Sequence, residues 1–384
     1  MLKKLIFKTV VIVFVFALFV APVGAAEVED VESEIENRVE ERAPIRYLSL
    51  EESIRIAVEN SPAIAIAKIE HEQALADLRQ ARRDAISIHR LRLQEVPMAF
   101  TYDALLAQRV WPKTAEMLEL LSYKYVEFIT NLVKFQVENA YYSVLSAEGG
   151  LQNARDSLLR AQDQLRLVRV GVDAGVNAQV DVLGAEVLIA AQELMVVVAE
   201  NSLRQVRMDF NILVGLPLDH ELELTSRFDF TPVELSFDEI KEIARERNLT
   251  YIQLHKNYEI QREVLNVAEE FFPANVYTHQ EARRNYNIAK LMLQNADKEL
   301  DLMIRSAFLN METAKKAFSL MEKSVEQAIE NYRLTILRFE VGIATLMEVE
   351  RASDELGNAM SELLSAIYDY NRAAAMLQHG LFGN

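Results

Sequence analysis

Two rows of small or apolar residues run through the C-terminal part of the chain at a spacing of seven, and this spacing constrains the fold most. Apolar residues repeated in this way over four heptads are typical of a helix that winds against other helices. The rows are Val349, Leu356, Leu363, Tyr370 and Leu377, and Ala352, Ala359, Ala366, Ala373 and Gly380. Because one row is nearly all alanine, the pattern predicts a long helix packed closely on a neighbour.

The same layout occurs earlier in the chain. A glycine precedes the heptad helix in both places, Gly175 in the first and Gly342 in the second. The earlier rows are Val182, Ile189, Val196, Leu203 and Phe210, and Ala185, Gln192, Ala199, Val206 and Leu213. A glycine turn followed by a long heptad helix therefore appears twice, which indicates an internal repeat.

Each copy also opens on the same kind of helix start. Ser49 is followed by Glu52 in the capping-box position, and Ser236 is followed by Glu239 in the same way. We expect the first of these helices to run without a break to about Ala85. Heptad rows precede both glycines as well, so each copy should contain a long helix, a turn, a long helix, a glycine turn and a third long helix.

The first copy is longer than the second. The distance from its capped start to its glycine exceeds that of the second copy by about twenty residues, which we place within 86–112. Short alternating pieces there, around Leu91 and Phe100, could form a strand hairpin. The second copy has room only for a turn around Pro273.

The first residues of the chain have the pattern of a secretory signal peptide. A basic start precedes an apolar run, and small residues follow it. An acidic stretch with little apolar content comes next and is predicted to be disordered. The resulting boundaries are a signal peptide (1–26), an acidic leader (27–45), the first helical repeat (46–219), a linker (220–234) and the second helical repeat (235–384).

Composition and charge exclude several classes of function. The 384 residues carry a net charge of −17 and no cysteine, so neither a basic stripe for nucleic acid nor a thiolate site is expected. The six histidines are scattered, and no catalytic or phosphate-binding motif occurs. We therefore expect no enzyme, no cofactor and no metal. Beyond the signal peptide no stretch reaches eighteen uncharged apolar residues, so no transmembrane helix is expected.

With these motifs in order, the chain resembles TolC-like outer-membrane efflux proteins. The matching segments are LSLEESIRIAVENSPAI, AGVNAQVDVLGAE and NILVGLPL in the first copy, and RFEVGIATLMEVERASDEL and YDYNRAAAMLQHG in the second. The likeness covers nearly all of the chain after the signal peptide. It implies an exported protein of the outer membrane or the periplasm.

The resemblance implies an all-α, TolC-like helical barrel protomer that assembles as a homotrimer. In the family, the helical cylinder docks on a periplasmic adaptor and an inner-membrane pump. Gly175 and Gly342 would then lie at the adaptor-facing tip. Each repeat in the family normally adds two strands to an outer-membrane barrel. Because each spanning strand needs about 9–11 residues, we expect little or no β-barrel here.

The resemblance also implies candidate residues at the pore constriction. Asp181 and Glu348 occupy the position, six residues after each glycine, where the family places pore-facing acids. A ring of such carboxylates would select for cations. Arg351, three residues further on, could instead pair with a neighbouring helix and hold the tip shut. The alternative for both acids is a local role at a helix N-terminus, where the helix dipole favours negative charge.

Two functions are compatible with these features of the sequence. The first is a duct that carries solutes out of the cell as part of a tripartite efflux or secretion system. The second is a coiled-coil structural or scaffold protein of the cell envelope without channel activity. A duct requires polar residues on the inner wall of its helices and a self-complementary trimer.

Overall fold

A computed structural model describes residues 46–175, 178–226 and 236–380 of the chain. This part contains nine α-helices, one 3-10 turn (Pro97–Phe100) and two short strands, β1 (Arg46–Leu48) and β2 (Leu222–Leu224). The helices are α1 (Leu50–Asn60), α2 (Pro62–Leu93), α3 (Tyr102–Arg109), α4 (Trp111–Asp173), α5 (Gln179–Val214), α6 (Phe237–Arg247), α7 (Leu249–Phe271), α8 (Tyr277–Glu340) and α9 (Leu346–His379). The predicted signal peptide, the acidic leader and most of the linker lie outside the described residues.

The helices repeat in order and in length, which confirms the all-α, tandem-repeat prediction. Helices α1, α2, α4 and α5 of the first copy correspond to α6, α7, α8 and α9 of the second. The two longest helices have 63 and 64 residues, and the two that follow the glycines have 36 and 34. The short helix α3 has no counterpart in the second copy.

The prediction of one unbroken first helix is wrong. The helix stops at Asn60, and α2 begins at Pro62 and continues to Leu93. Proline lacks the N–H that a continuing helix would need, but it suits the first helical position. The hydroxyl of Ser61 accepts a hydrogen bond from the Ile64 N–H at 3.4 Å and so begins the new helix.

The capping boxes predicted for the two copies form only in part. The Ser49 hydroxyl accepts from the Glu52 N–H at 3.2 Å, but the Glu52 carboxylate pairs with Arg55 instead of returning to the cap. Ser236 is the N-cap residue of α6, and its side chain makes no capping hydrogen bond.

The strand hairpin considered for 86–112 is also wrong, because this segment is helical. It contains the end of α2, the 3-10 turn and α3. The Thr101 hydroxyl caps α3 by accepting from the Ala104 N–H at 3.2 Å. Leu105 on α3 and the adjoining Val110 are buried against Ile260 and Val267 of α7. Burial of an apolar helix face therefore decides the structure of this segment.

The two pairs of long helices form a layer in the order α5, α4, α9, α8. Helix α4 packs on both α5 and α9, and α9 packs in turn on α8. Helix α2 lies along the first part of α4, and α7 lies along the first part of α8. The heptad rows of α9 face this packing, since all of their members are buried or half-buried. Helix α9 therefore joins the two repeats.

The main core lies where β1, β2 and α1 meet α4 and α5. Tyr141 is fully buried there and packs edge-on against Phe210 at 6.0 Å. Its hydroxyl donates to the Leu48 carbonyl at 3.2 Å and accepts from the Ser226 N–H at 2.9 Å. One tyrosine thus ties the parallel strand pair to the long helix.

Candidate functional site

The two glycine turns have the same backbone conformation. Gly175 and Gly342 have φ angles of 73° and 74°, in the left-handed region that glycine adopts without steric cost. Each glycine N–H donates to the carbonyl three residues before it, Val172 and Phe339 respectively, at 2.9 Å. Both long helices therefore end in a C-terminal motif typical of glycine.

A hydrophobic cluster brings the two turns together. Val168 and Ala185, from the helices on either side of Gly175, are fully buried. Phe339 and Leu346, from either side of Gly342, pack on the same cluster. The end of the molecule that carries both glycines, here called the tip, is therefore built jointly by the two repeats.

Asp181 and Glu348 occupy equivalent places at the tip. The Asp181 carboxylate accepts from the Ala178 N–H at 2.8 Å. The Glu348 carboxylate accepts from the Thr345 N–H at 2.7 Å and from the Thr345 hydroxyl at 2.9 Å. Within one chain, both acids thus have the local role at a helix N-terminus that the sequence leaves open as the alternative.

Glu348 is held in its charged form. The hydrogen bonds from the backbone and the side chain of Thr345 lower the pKa of its carboxyl below the ordinary value of 4.5, and Arg338 acts in the same direction. The Arg338 Nη2 atom lies 3.8 Å from Glu348 Oε1. The carboxylate keeps an exposed surface, so it can cap the helix and still present negative charge outward.

Arg351 is exposed and forms no ion pair with any other described residue. The residue before it, Glu350, is half-buried, and sequence reasoning missed it. Burial raises the pKa of the Glu350 carboxyl above its ordinary value, and the charge of Asp354 adds to this effect. The two charged residues in this turn of α9 therefore have very different surroundings.

A polar layer lies one to two helical turns above the hydrophobic cluster. The Arg160 Nε atom on α4 donates to the Ser353 hydroxyl on α9 at 2.9 Å, and its guanidinium lies 5.9 Å from the ring of Tyr332 on α8. Gln164 on α4, only 1% exposed, lies in the same layer close to Tyr332. Sequence reasoning missed this layer, because a single polar residue in a heptad gives no signal of its partner on another helix.

The tip also exposes large apolar side chains beside Gly342. Val341, Ile343 and Met347 surround this turn, and Met347 is 77% exposed. Val180 and Leu183 are exposed in the same way after Gly175. In one chain these side chains have no covering partner among the described residues.

Two searches of the described residues bear on metal binding and on membrane crossing. No group of three or more histidine and acidic side chains there is arranged to hold a metal ion. Helix α5 is long and apolar enough to cross a membrane by length and composition, and few of its apolar residues are buried. The sequence predicts no such helix, because no stretch after the signal peptide has eighteen uncharged apolar residues; the apolar run of α5 contains Glu186 and Glu193.

A family profile decides what kind of protein carries this tip. The profile described as "Outer membrane efflux protein" matches residues 119–215 and 265–381, together more than half of the chain. The chain belongs to the outer membrane efflux protein family. The matched ranges include both glycine turns and the long helices on either side of them.

Solved structures of outer membrane proteins share the fold of this family member. The outer membrane protein VceC from Vibrio cholerae has 14% sequence identity and a TM-score of 0.65, with 87% of this chain and 96% of that chain covered. The CmeC outer membrane channel of Campylobacter jejuni has 13% identity and a TM-score of 0.63, with 86% and 85% covered. The MtrE outer membrane channel of Neisseria gonorrhoeae has 17% identity and a TM-score of 0.57, with 86% and 88% covered. Among curated protein sequences, none matches the chain.

Family membership confirms the resemblance described from the motifs. An outer membrane efflux protein is an exported protein of the outer membrane or cell envelope, and the family is one of channel proteins rather than enzymes.

Proposed function

We propose that this protein is the exit duct of a tripartite efflux or secretion system. Three copies would form a hollow helical cylinder that passes solutes out of the cell. A periplasmic adaptor and an inner-membrane pump would deliver those solutes. The observation that carries the proposal is the presence of an unpaired apolar seam on each edge of the helical layer.

The first of these seams runs along α5. On the side away from α4, large apolar residues follow one another at helical spacing and are exposed. They are Val180, Leu183, Val187, Leu194 and Val198. A helix that is apolar on two faces needs two partners, and α4 supplies only one of them.

The second seam runs along α8, at the other edge of the layer. Its exposed apolar residues are Leu302, Leu309, Leu320, Leu334 and Leu337. The two edges differ, and both expose apolar residues. Head-to-tail contacts, in which α5 of one copy packs on α8 of the next, would bury both. Such contacts generate a closed ring when the rotation per copy allows it.

Small polar side chains supply a candidate inner wall. A groove of about 910 Å³ runs over α4 between α5 and α9. Ser143, Ser146, Asn153 and Ser157 of α4 and Ser361 of α9 line it, while α5 contributes Met195, Val198 and Val206 at its edge. Short hydroxyl and amide groups suit contact with water and dissolved substrates, as a duct requires.

The tip would be the part that meets the adaptor. The exposed apolar residues beside Gly342 suit a protein partner, since exposed apolar patches mark such contacts. Asp181 and Glu348 would form rings of carboxylates at the mouth of the duct and favour cations. Dye efflux from cells tests this role, because export of a cationic dye should fall relative to that of an anionic dye in a double variant with Asp181→Asn and Glu348→Gln.

Cross-linking tests the ring directly, because the chain has no cysteine of its own. Leu183 lies eight residues after Gly175 and Leu334 lies eight residues before Gly342, so the two are level on the opposite edges. The double variant Leu183→Cys, Leu334→Cys with a short bismaleimide should give covalent dimers and trimers. Each single variant is the matched control and should give none.

The outcomes separate the two candidate functions. The duct would be supported by two results together: the double variant gives covalent trimers, and cells that lack the protein lose dye efflux. Covalent trimers without any effect on efflux would favour the envelope scaffold. If the single variants cross-link as well as the double variant, the contact is not head-to-tail and the ring is wrong.

A further inference from the structure

The end of the molecule opposite the tip has an unusual surface. Helix α4 is 63 residues long, which is about 95 Å at about 1.5 Å per residue. Its first residue therefore lies far from the glycine turns. We use the name distal cap for the surface built by residues 79–113, together with the start of α8 at Tyr277.

The distal cap is a folded unit with an interior of its own. Leu105, Val110, Ile260 and Val267 are buried together inside it. The ring of Tyr102 packs edge-on against that of Phe272 at 5.1 Å. The apolar side chains that remain outside are therefore exposed on an ordered surface and are not left over from poor packing.

Large apolar and aromatic side chains lie on the outside of the cap. Leu93 is 73% exposed, Met98 is 70% exposed and Trp111 is 57% exposed. Phe100 and Tyr277 are exposed as well. These residues are at helix ends and in the 3-10 turn, so they form the extremity of the molecule and are not part of the two lateral seams.

The charge of residues 79–113 is opposite to that of the chain. Residues 79–113 contain seven lysines and arginines but only three acidic residues, whereas the whole chain has a net charge of −17. Arg79, Arg83 and Arg90 are exposed, and none of them pairs with a carboxylate in the described part of the chain. The basic charge is therefore concentrated in 79–113, while the adjoining ends of α7 and α8 carry Glu263, Glu269, Glu270 and Glu281 beside Arg283 and Arg284.

Some cations of the cap are already used within the fold. Arg82 pairs with Glu116, and both Arg109 and Lys113 pair with Glu263. Two further arginines lie against the exposed rings, Arg92 at 5.3 Å from Phe100 and Arg284 at 5.5 Å from Tyr277. The outer surface thus combines aromatic rings, aliphatic side chains and uncompensated guanidinium groups.

We propose that the distal cap binds the surface of a lipid bilayer that contains anionic headgroups. Tryptophan, tyrosine and arginine are the side chains that suit the membrane–water interface, and a shallow apolar surface with basic neighbours binds there without crossing. Leu93, Met98, Phe100 and Trp111 enter the boundary between headgroups and acyl chains. Arg83 and Arg90, which lie nearer to the end of α2, contact lipid phosphates. This binding goes beyond the proposed duct and requires neither a trimer nor transport.

Trp111 reports on this binding, because it is the only tryptophan of the chain. The protein purified after export is mixed with vesicles of phosphatidylglycerol and phosphatidylcholine, and separately with vesicles of phosphatidylcholine alone. With the anionic vesicles, the emission of Trp111 should shift to shorter wavelength and its quenching by iodide should fall. Added salt should weaken the effect, since screening acts on the arginine contacts.

Matched variants locate the surface. The double change Met98→Asp, Phe100→Asp should weaken vesicle binding at least tenfold. Met347→Asp, an equally exposed methionine at the tip, should leave it unchanged. Arg83→Gln and Arg90→Gln should each weaken binding to anionic vesicles about fivefold, because each basic residue near a charged surface contributes about that factor. Thermal unfolding of each variant checks that the fold is kept.

Several results would overturn the proposal. One is that the unmodified protein neither sediments with anionic vesicles nor changes its Trp111 emission. Another is that Met347→Asp weakens binding as much as the double change in the cap. A shift of Trp111 emission that follows protein concentration instead of lipid would assign the cap to contact with a second copy. If the protein is a trimer but does not bind vesicles, only this proposal fails and the duct does not.

Discussion

The side chain of Leu364 on α9 occupies the space that a Cβ at Gly149 of α4 would take. Gly149 and Gly150 lie in the middle of a 63-residue helix, where glycine normally weakens a helix. The contact explains the first of the two glycines, because the absence of a side chain lets α9 approach α4. Gly150 has no neighbouring atom within 4 Å of such a Cβ.

The two adjacent glycines should respond differently to alanine. Gly150→Ala should raise the thermal midpoint, by the equivalent of about 0.5–1 kcal/mol, because it removes only the entropic cost of glycine. Gly149→Ala should gain less or lose stability, since the Leu364 side chain must move and overpacking costs about 1–3 kcal/mol. Equal midpoints for the two variants would contradict the close approach of α9 and α4.

The caps of the two helices that follow the glycines are unequal, and this can be tested by exchange. Thr345 caps α9 through its hydroxyl, which accepts from the Glu348 N–H at 3.3 Å. Ala178, at the start of α5, has no side-chain acceptor. Thr345→Ala should cost about 1 kcal/mol and Ala178→Thr should gain a similar amount. Thermal unfolding of both variants measures this. A gain from Thr345→Ala would show that the cap is not formed.

The pH dependence of stability should differ between Glu348 and its near neighbour Glu350. The pKa of Glu348 is lowered by folding, so its stabilising effect is present above the ordinary value of 4.5 and is lost as the pH falls through the lowered pKa. The pKa of Glu350 is raised, so its charged form destabilises the fold at neutral pH and protonation relieves this.

Substitution of these two residues should change the thermal midpoint in opposite directions. At neutral pH, Glu348→Gln should lower the thermal midpoint and Glu350→Gln should raise it. The effect of Glu350→Gln should shrink as the pH falls from the raised pKa toward 4.5, whereas the effect of Glu348→Gln should shrink only as the pH falls from 4.5 through the lowered pKa. If Glu348→Gln lowers the midpoint equally at neutral pH and well below pH 4.5, the carboxylate charge is not the cause.

The contact of Arg160 with Ser353 should stabilise the junction of the two repeats. Ser353 is on α9, whereas Ser157, the other hydroxyl that Arg160 contacts, is on the same helix as the arginine, at 2.7 Å. Ser353→Ala should cost about 1.5–3 kcal/mol, as expected for a hydrogen bond to a charged group. Ser157→Ala should cost less because it joins no separate elements. Hydrogen exchange of α9 should rise only in Ser353→Ala.

Much of the fold is predictable because its main determinants repeat along the chain. The heptad rows of α9 identify Val349, Leu356 and Tyr370 as packed positions, and all three are buried. Gly175 and Gly342 are recognisable as turns, because glycine is the residue that most readily adopts the left-handed conformation that both have. A periodic pattern carries its own signal and needs no knowledge of the partner helix.

Contacts between distant parts of the chain were not predictable in this way. The helical state of 86–112 depends on Leu105 and Val110 meeting α7, which lies about 150 residues further along the chain. The polar layer around Arg160 needs residues from three helices and both repeats. The capping role of Asp181 and Glu348 was foreseen only as an alternative, because sequence alone does not place a carboxylate against a particular N–H.

The mass of the exported protein in solution tests the central claim most directly. Light scattering should be measured on the purified protein both without detergent and in a mild detergent, so that the lipid-binding cap does not obscure the result. The proposed duct predicts a particle of three chains. A particle of a single chain under both conditions would contradict the closed helical cylinder and, with it, the duct.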